Sequence, residues 1–165
     1  MFRQQYAHLS IFEGLSGEQI AILSPLLEIC NFSQDELIFQ QGQDAAYLYI
    51  LLSGEVIIRY KPYDGPPLTV SRINPGGVFG WSAALGREVY TSAAVAAGPC
   101  EAYRVNGQKL QQLCERHPDT GAVLLERLAG VITERLRTTH NQILTILSQG
   151  LDLDNGNCSQ RNEKK

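Results

Sequence analysis

The chain has 165 residues, 44% of them hydrophobic and 19% charged, with a net charge of −3 at neutral pH. Those values suit one globular domain with a buried core and exclude a fibre or a wholly disordered chain. The acidic balance offers no overall attraction to nucleic acid or to an anionic membrane.

The first ten residues hold no apolar stretch of the kind a secretory signal needs, and the longest apolar run, residues 45–52, is too short to cross a bilayer. Cys30, Cys100, Cys114 and Cys158 lack the close spacing of a metal or redox motif. The expectation is a cytoplasmic chain with reduced cysteines, the first three serving as small packing residues.

In chain order, residues 9–27 read as short helices. Ser16, followed by Glu18 and Gln19, marks a helix start, Ile20, Leu23, Leu26 and Leu27 keep helical spacing, and Pro25 ends or kinks the helix. From residue 28 the texture changes to short strands separated by Gly, Pro, Asp and Ser, with strands expected at 28–32, 36–40, 47–52, 55–60, 68–73, 92–97 and 100–105. Gly42, Gly54, Gly65 and Gly76 recur at the strand-plus-turn interval of an antiparallel sandwich or barrel, and so many short strands without long intervening helices point to a jelly roll.

From Asn106 the pattern is helical: a short helix around Leu110 and Leu113, then a long one over about residues 119–147. The long helix carries two apolar stripes. Leu124, Leu128 and Val131 are assigned to packing on the roll, while Leu125, Ala129, Ile132, Leu136, Thr139, Ile143 and Ile146 alternate spacings of four and three, the register of a coiled-coil seam. One small barrel cannot bury both stripes, so the second implies a partner helix and a homodimer. A single wide core-facing surface is the alternative. The domain is expected over residues 1–148, with the roll at about 28–105 and C-terminal helices at about 106–148, followed by a polar disordered tail at 149–165.

Several segments now occur together and in order: Ile11-Phe12-Glu13-Gly14-Leu15-Ser16, Glu36-Leu37-Ile38-Phe39-Gln40-Gln41-Gly42, Leu48-Tyr49-Ile50-Leu51-Leu52-Ser53-Gly54-Glu55-Val56, Asn74-Pro75-Gly76-Gly77-Val78-Phe79-Gly80, and the strand at 100–105. This set resembles the sensor domain of the catabolite activator (Crp/Fnr) family, a cyclic nucleotide-binding fold shared with regulated kinases and channels. The resemblance covers about residues 9–147. It implies a mainly β, double-stranded β-helix jelly roll, cupin-like in outline, with short N-terminal helices and a long C-terminal dimerisation helix.

The family's phosphate-binding cassette implies a ligand site at Gly80, Trp81, Ser82, Ala83, Arg87, Thr91 and Ser92, with Arg135 and Thr138 of the long helix where family members reach toward the ligand base. Gly80 lets backbone approach a ligand, and a short helix starting at Ser82 would present N–H groups to an anion. Two positions depart from the family pattern. Trp81 stands where a Glu binds the ribose hydroxyl, and Thr91 where an Arg binds the cyclic phosphate. Losing two charge-assisted hydrogen bonds costs about 3–6 kcal/mol, roughly two to four decades of affinity. Arg87 could act as a substitute cation or simply be solvated, and Trp81 could stack on a planar ligand or fill the pocket.

The histidines His8, His117 and His140 lack the close spacing of a cupin metal centre, no catalytic triad is suggested, and the scattered cysteines do not suit an iron–sulfur cluster. The expectation is therefore no enzyme, no metal and no fixed cofactor. The family's transcription factors carry a winged helix-turn-helix after the long helix, and the few residues after Leu147 are too short for one, so DNA binding by this chain alone is not expected. The reading is a ligand-sensing regulatory module that signals through a partner protein. Its alternative is a ligand-free homodimeric interaction module whose pocket Trp81 fills.

Overall fold

The structure, a computed structural model, describes residues 9–156, with side chains through Asn141 and at Leu144, Thr145 and Ser148 beyond it. The N-terminal helix α1 (Gly17–Leu23) begins at a reciprocal cap: the Ser16 hydroxyl accepts from the Gln19 N–H at 3.2 Å while the Gln19 side chain accepts from the Ser16 N–H at 2.8 Å. It stops at Leu23, and Pro25 lies in the tighter 3-10 turn Ser24–Leu26, as its missing N–H requires.

Eight strands follow: β1 (Glu28–Phe32), β2 (Leu37–Phe39), β3 (Tyr47–Ser53), β4 (Val56–Tyr60), β5 (Leu68–Ile73), β6 (Val78–Phe79), β7 (Ala93–Ala96) and β8 (Cys100–Asn106). They form two four-stranded sheets, ordered β1-β8-β3-β6 and β2-β7-β4-β5, with every pairing antiparallel. This is the jelly roll. Strand β6 is the one the sequence reading lacks. Two residues between glycine turns are too few to show alternation, yet Tyr49↔Phe79 and Ile50↔Val78 pair on β3.

Strand β3 explains the long apolar run at residues 45–52. Its side chains alternate across the sheet, and both faces are covered. Tyr49 and Leu51 point into the roll beside Phe79 and Ala102, in a core completed by Val56, Ile58, Ala94 and Ala96 of the other sheet. Leu48 and Ile50 point outward with Val105 and Tyr103, their cross-strand partners, and are buried on that side too. Cys30, Cys100 and Cys114 are free thiols, and burial raises the Cys30 pKa to about 11, so the thiol stays protonated at neutral pH and packs as an apolar group. Cys158 lies outside the described residues.

Helix α2 (Gly107–Arg116) starts at Asn106, whose side chain accepts from the Lys109 N–H at 3.1 Å. Helix α3 (Pro118–Gly156) is continuous and longer than the sequence pattern suggests. The stretch from 149 to 156, read above as the start of a disordered tail, is helical; it has no proline, and Leu151 and Leu153 favour helix more than its polar neighbours do. By its packing the chain divides after Val131: the roll with its helices is one unit, and the helix from Ile132 onward is a second. Within the first unit Leu124 and Leu128 are buried, the role given to their stripe. No helix among the described residues is long and apolar enough to cross a membrane.

Candidate functional site

The expected cassette begins where β6 ends. Gly80 has φ of +71°, and a Cβ there would sit 2.9 Å from the Tyr47 carbonyl oxygen, 3.1 Å from the Tyr49 ring and 3.2 Å from the Phe39 ring. Both the backbone angle and the space demand glycine. Gly80→Ala is expected to cost about 2–3 kcal/mol, read as a lower midpoint in urea unfolding with unchanged slope. An unchanged midpoint would show that the turn adapts.

Beyond Gly80 the chain makes one tight turn and no regular helix, which corrects the expectation of a short helix at Ser82. Leu85 N–H bonds to the Trp81 carbonyl at 3.0 Å, and Arg87 N–H reaches back to the Ser82 carbonyl at 3.0 Å across Gly86, whose φ is +69°. That six-to-one bond over a left-handed glycine is a helix-terminating closure, so the turn does not extend into a helix. Ala83 N–H already bonds the Gly80 carbonyl at 3.3 Å, leaving fewer N–H groups for an anion than the sequence reading supposed.

The side chains divide by exposure. Ser82 and Ala83 are buried, Trp81 and Ser92 half-buried, and Arg87 and Thr91 exposed. The Arg87 side chain makes no hydrogen bond or ion pair among the described residues. The aromatic rings packed against one another inside the roll include Phe39, Tyr49, Phe79 and Tyr90.

Tyr90 is the residue that sequence reasoning missed. Its ring stacks on Phe39 with centroids 3.9 Å apart, and its hydroxyl donates to the Tyr47 carbonyl at 2.7 Å while accepting from the Tyr47 N–H at 3.0 Å. Its own backbone is tied to the loop before β3, N–H to the Gln43 carbonyl and carbonyl to the Gly42 N–H. The end of the cassette loop is thereby pinned to the start of β3, and Thr91 and Ser92 follow directly. Burial pushes the pKa of Tyr90 and of Tyr49 up, so both hydroxyls stay protonated and able to donate. No sequence pattern marks Tyr90, because its partners lie far away along the chain.

In the second unit, the Thr138 hydroxyl donates to the Glu134 carbonyl at 3.0 Å and that of Thr139 to the Arg135 carbonyl at 3.0 Å. Desolvation lowers the Arg135 pKa to about 10, and the group remains cationic at neutral pH. Along the expected seam, Leu125 is 52% and Leu136 65% exposed in the single chain, Ala129 is exposed, and Ile132 and Thr139 are half-buried. The side chains of Ile143 and Ile146 lie outside the described residues. Among the described residues no cluster of His, Cys, Asp and Glu is placed to hold a metal.

The sequence profile of the cyclic nucleotide-binding domain matches residues 29–117, more than half of the chain and nearly the whole roll with α2. The chain belongs to the cyclic nucleotide-binding domain family. It is 26% identical over 141 residues to the CRP-like cAMP-activated global transcriptional regulator of Mycobacterium tuberculosis, covering 86% of this chain and 61% of that protein.

Among solved structures, the Thermus thermophilus catabolite activator protein superposes with a TM-score of 0.68 at 26% identity, covering 84% of this chain and 63% of that one. A cyclic nucleotide-binding domain from Methylobacillus flagellatus superposes with a TM-score of 0.76 at 23% identity, covering 83% and 80%, a likeness of fold. The chain thus spans less than two thirds of the mycobacterial and Thermus regulators. The cyclic nucleotide-binding domain is a regulatory family, not a catalytic one.

Proposed function

We propose that this cyclic nucleotide-binding domain is the sensor of a cytoplasmic, homodimeric regulator, that it takes a small anionic or planar ligand in an altered cassette, and that it signals through a partner protein. The observation that carries the reading is a tightly closed turn at the expected cassette that lacks both of the family's charged residues. Gly80 is packed against Tyr47, Tyr49 and Phe39, and Tyr90 secures the loop's far end. Yet Trp81 and Thr91 stand where the family's Glu and Arg bind ribose and phosphate. A half-buried indole at the turn and an uncommitted Arg87 in its loop supply a stacking surface and a cation.

Titration calorimetry of the unmodified chain with cAMP and cGMP tests this. The expected result is weak or undetectable binding, about two to four decades below a site with both ionic contacts. Micromolar binding of either nucleotide would overturn the altered-cassette reading and make Arg87 the first residue to replace. The interaction-module alternative needs Trp81 to fill the pocket; its partial exposure favours the ligand-binding reading.

A further inference from the structure

The helices do not close completely on the roll. Between the outward face of the β1-β8-β3-β6 sheet and α1, α2 and the start of α3 lies a cavity of about 310 Å³, all within the first unit. Each surrounding element gives it an apolar wall: Phe12 and Leu27 from the N-terminal segment, Ile50 from β3, Leu110 from α2, and Leu124 and Leu128 from α3. Ile50 and Tyr49 are neighbours on β3 and point to opposite faces, so this space is separated from the aromatic cluster under the cassette by the thickness of the sheet.

Size and chemistry then narrow the occupant. Cavities of about 150 Å³ lined by Leu, Ile and Phe stay dry and take one benzene, and small-molecule pockets begin at about 300 Å³. This cavity is about twice the benzene-sized one, room for two fused rings or a medium alkyl chain. With such walls water finds few partners inside. The strongly polar side chains on its lining are Gln111 and Glu115, both exposed and so at the mouth rather than in the interior. A carboxylate at the entrance repels an anionic head group and tolerates a neutral or hydrogen-bond-donating one.

We propose that this cavity is a second ligand site, taking a neutral apolar molecule of about two-ring or ten-carbon size whose polar end, if any, donates to Glu115 and Gln111. The site does not depend on the cassette reading, since none of the cassette's charge positions lines it. Leu125 also lines it and belongs to the expected helix seam, so the alternative occupant is the partner copy's helix.

The probe is prodan, a neutral naphthalene whose emission moves to the blue in apolar surroundings, titrated into the full chain and displaced with decanol or decanoate. The expected result is saturable binding of one prodan per chain, with decanol displacing it at least tenfold more effectively than decanoate. Leu110→Trp, which fills the space from α2, should weaken prodan at least tenfold; if it fails to fold by circular dichroism, Ala84→Leu narrows the cavity from the cassette turn and carries the same expectation.

Glu115→Gln should shrink the preference for decanol over decanoate. Leu136→Arg, aimed at the expected helix seam, should bind as the unmodified chain does. No saturable binding, undiminished binding to the filled variant, equal displacement by decanoate, or binding that appears only in Leu136→Arg would each overturn the proposal, the last by showing that the partner helix fills the cavity in the dimer.

Discussion

Replacing Trp81 with Glu and Thr91 with Arg in one chain is expected to raise its affinity for cAMP by about two to four decades. The structure offers both substitutions acceptable places. Position 81 is half-buried at the entry of a turn whose backbone is set by Gly80, so a new carboxylate would not be sealed in the core. Position 91 is exposed and follows Tyr90, which is held on both sides of β3's first residue by the two hydrogen bonds to Tyr47, so an Arg there starts from a fixed point.

Trp81→Glu alone should help only in part, since the cyclic phosphate would still lack its cation. Calorimetry on both variants, with circular dichroism to confirm folding, reads the outcome. A folded double variant that binds no cyclic nucleotide would mean the pocket has diverged beyond these anchors, and would favour an interaction module or a ligand of other chemistry.

Leu136→Arg is expected to convert a homodimer into a monomer that remains folded. Leu136 is 65% exposed in the single chain, so within one protomer the change is a surface substitution worth no more than about 0.5 kcal/mol. In a seam it would put a charge where the partner's Leu125, Ile132 or Ile143 stripe should pack, and the desolvation penalty would outweigh the burial lost elsewhere. Light scattering at micromolar concentration distinguishes the two situations, and a folded variant that stays dimeric would reject the seam. Leu128→Ala is the opposing control: 4% exposed, on the stripe facing the roll, it should lose about 2–4 kcal/mol of stability. It should leave the oligomeric state alone.

Much of this protein was determined by short-range pattern. Strands β1 and β5 fall where alternation and turn residues place them, at Glu28–Phe32 and Leu68–Ile73, and α1 starts where Ser16 and Gln19 can cap it. The expected cassette and its two departures, Trp81 and Thr91, are legible only through the family resemblance, which rests on short ordered segments. The tertiary structure alone decided what depends on distant partners. Strand β6 exists because β3 supplies its hydrogen bonds, and the residues after Gly80 form a closed turn because Gly86 admits the left-handed angle that lets Arg87 bond back to Ser82.

Tyr90 is buried because Phe39 and Tyr47 lie across the roll, and the apolar residues of three helices enclose a cavity because their spacing over the sheet leaves it unfilled. Alternation and capping act over a few residues and are written locally. Packing, pairing and enclosed space arise only when remote segments meet, and no local period encodes them.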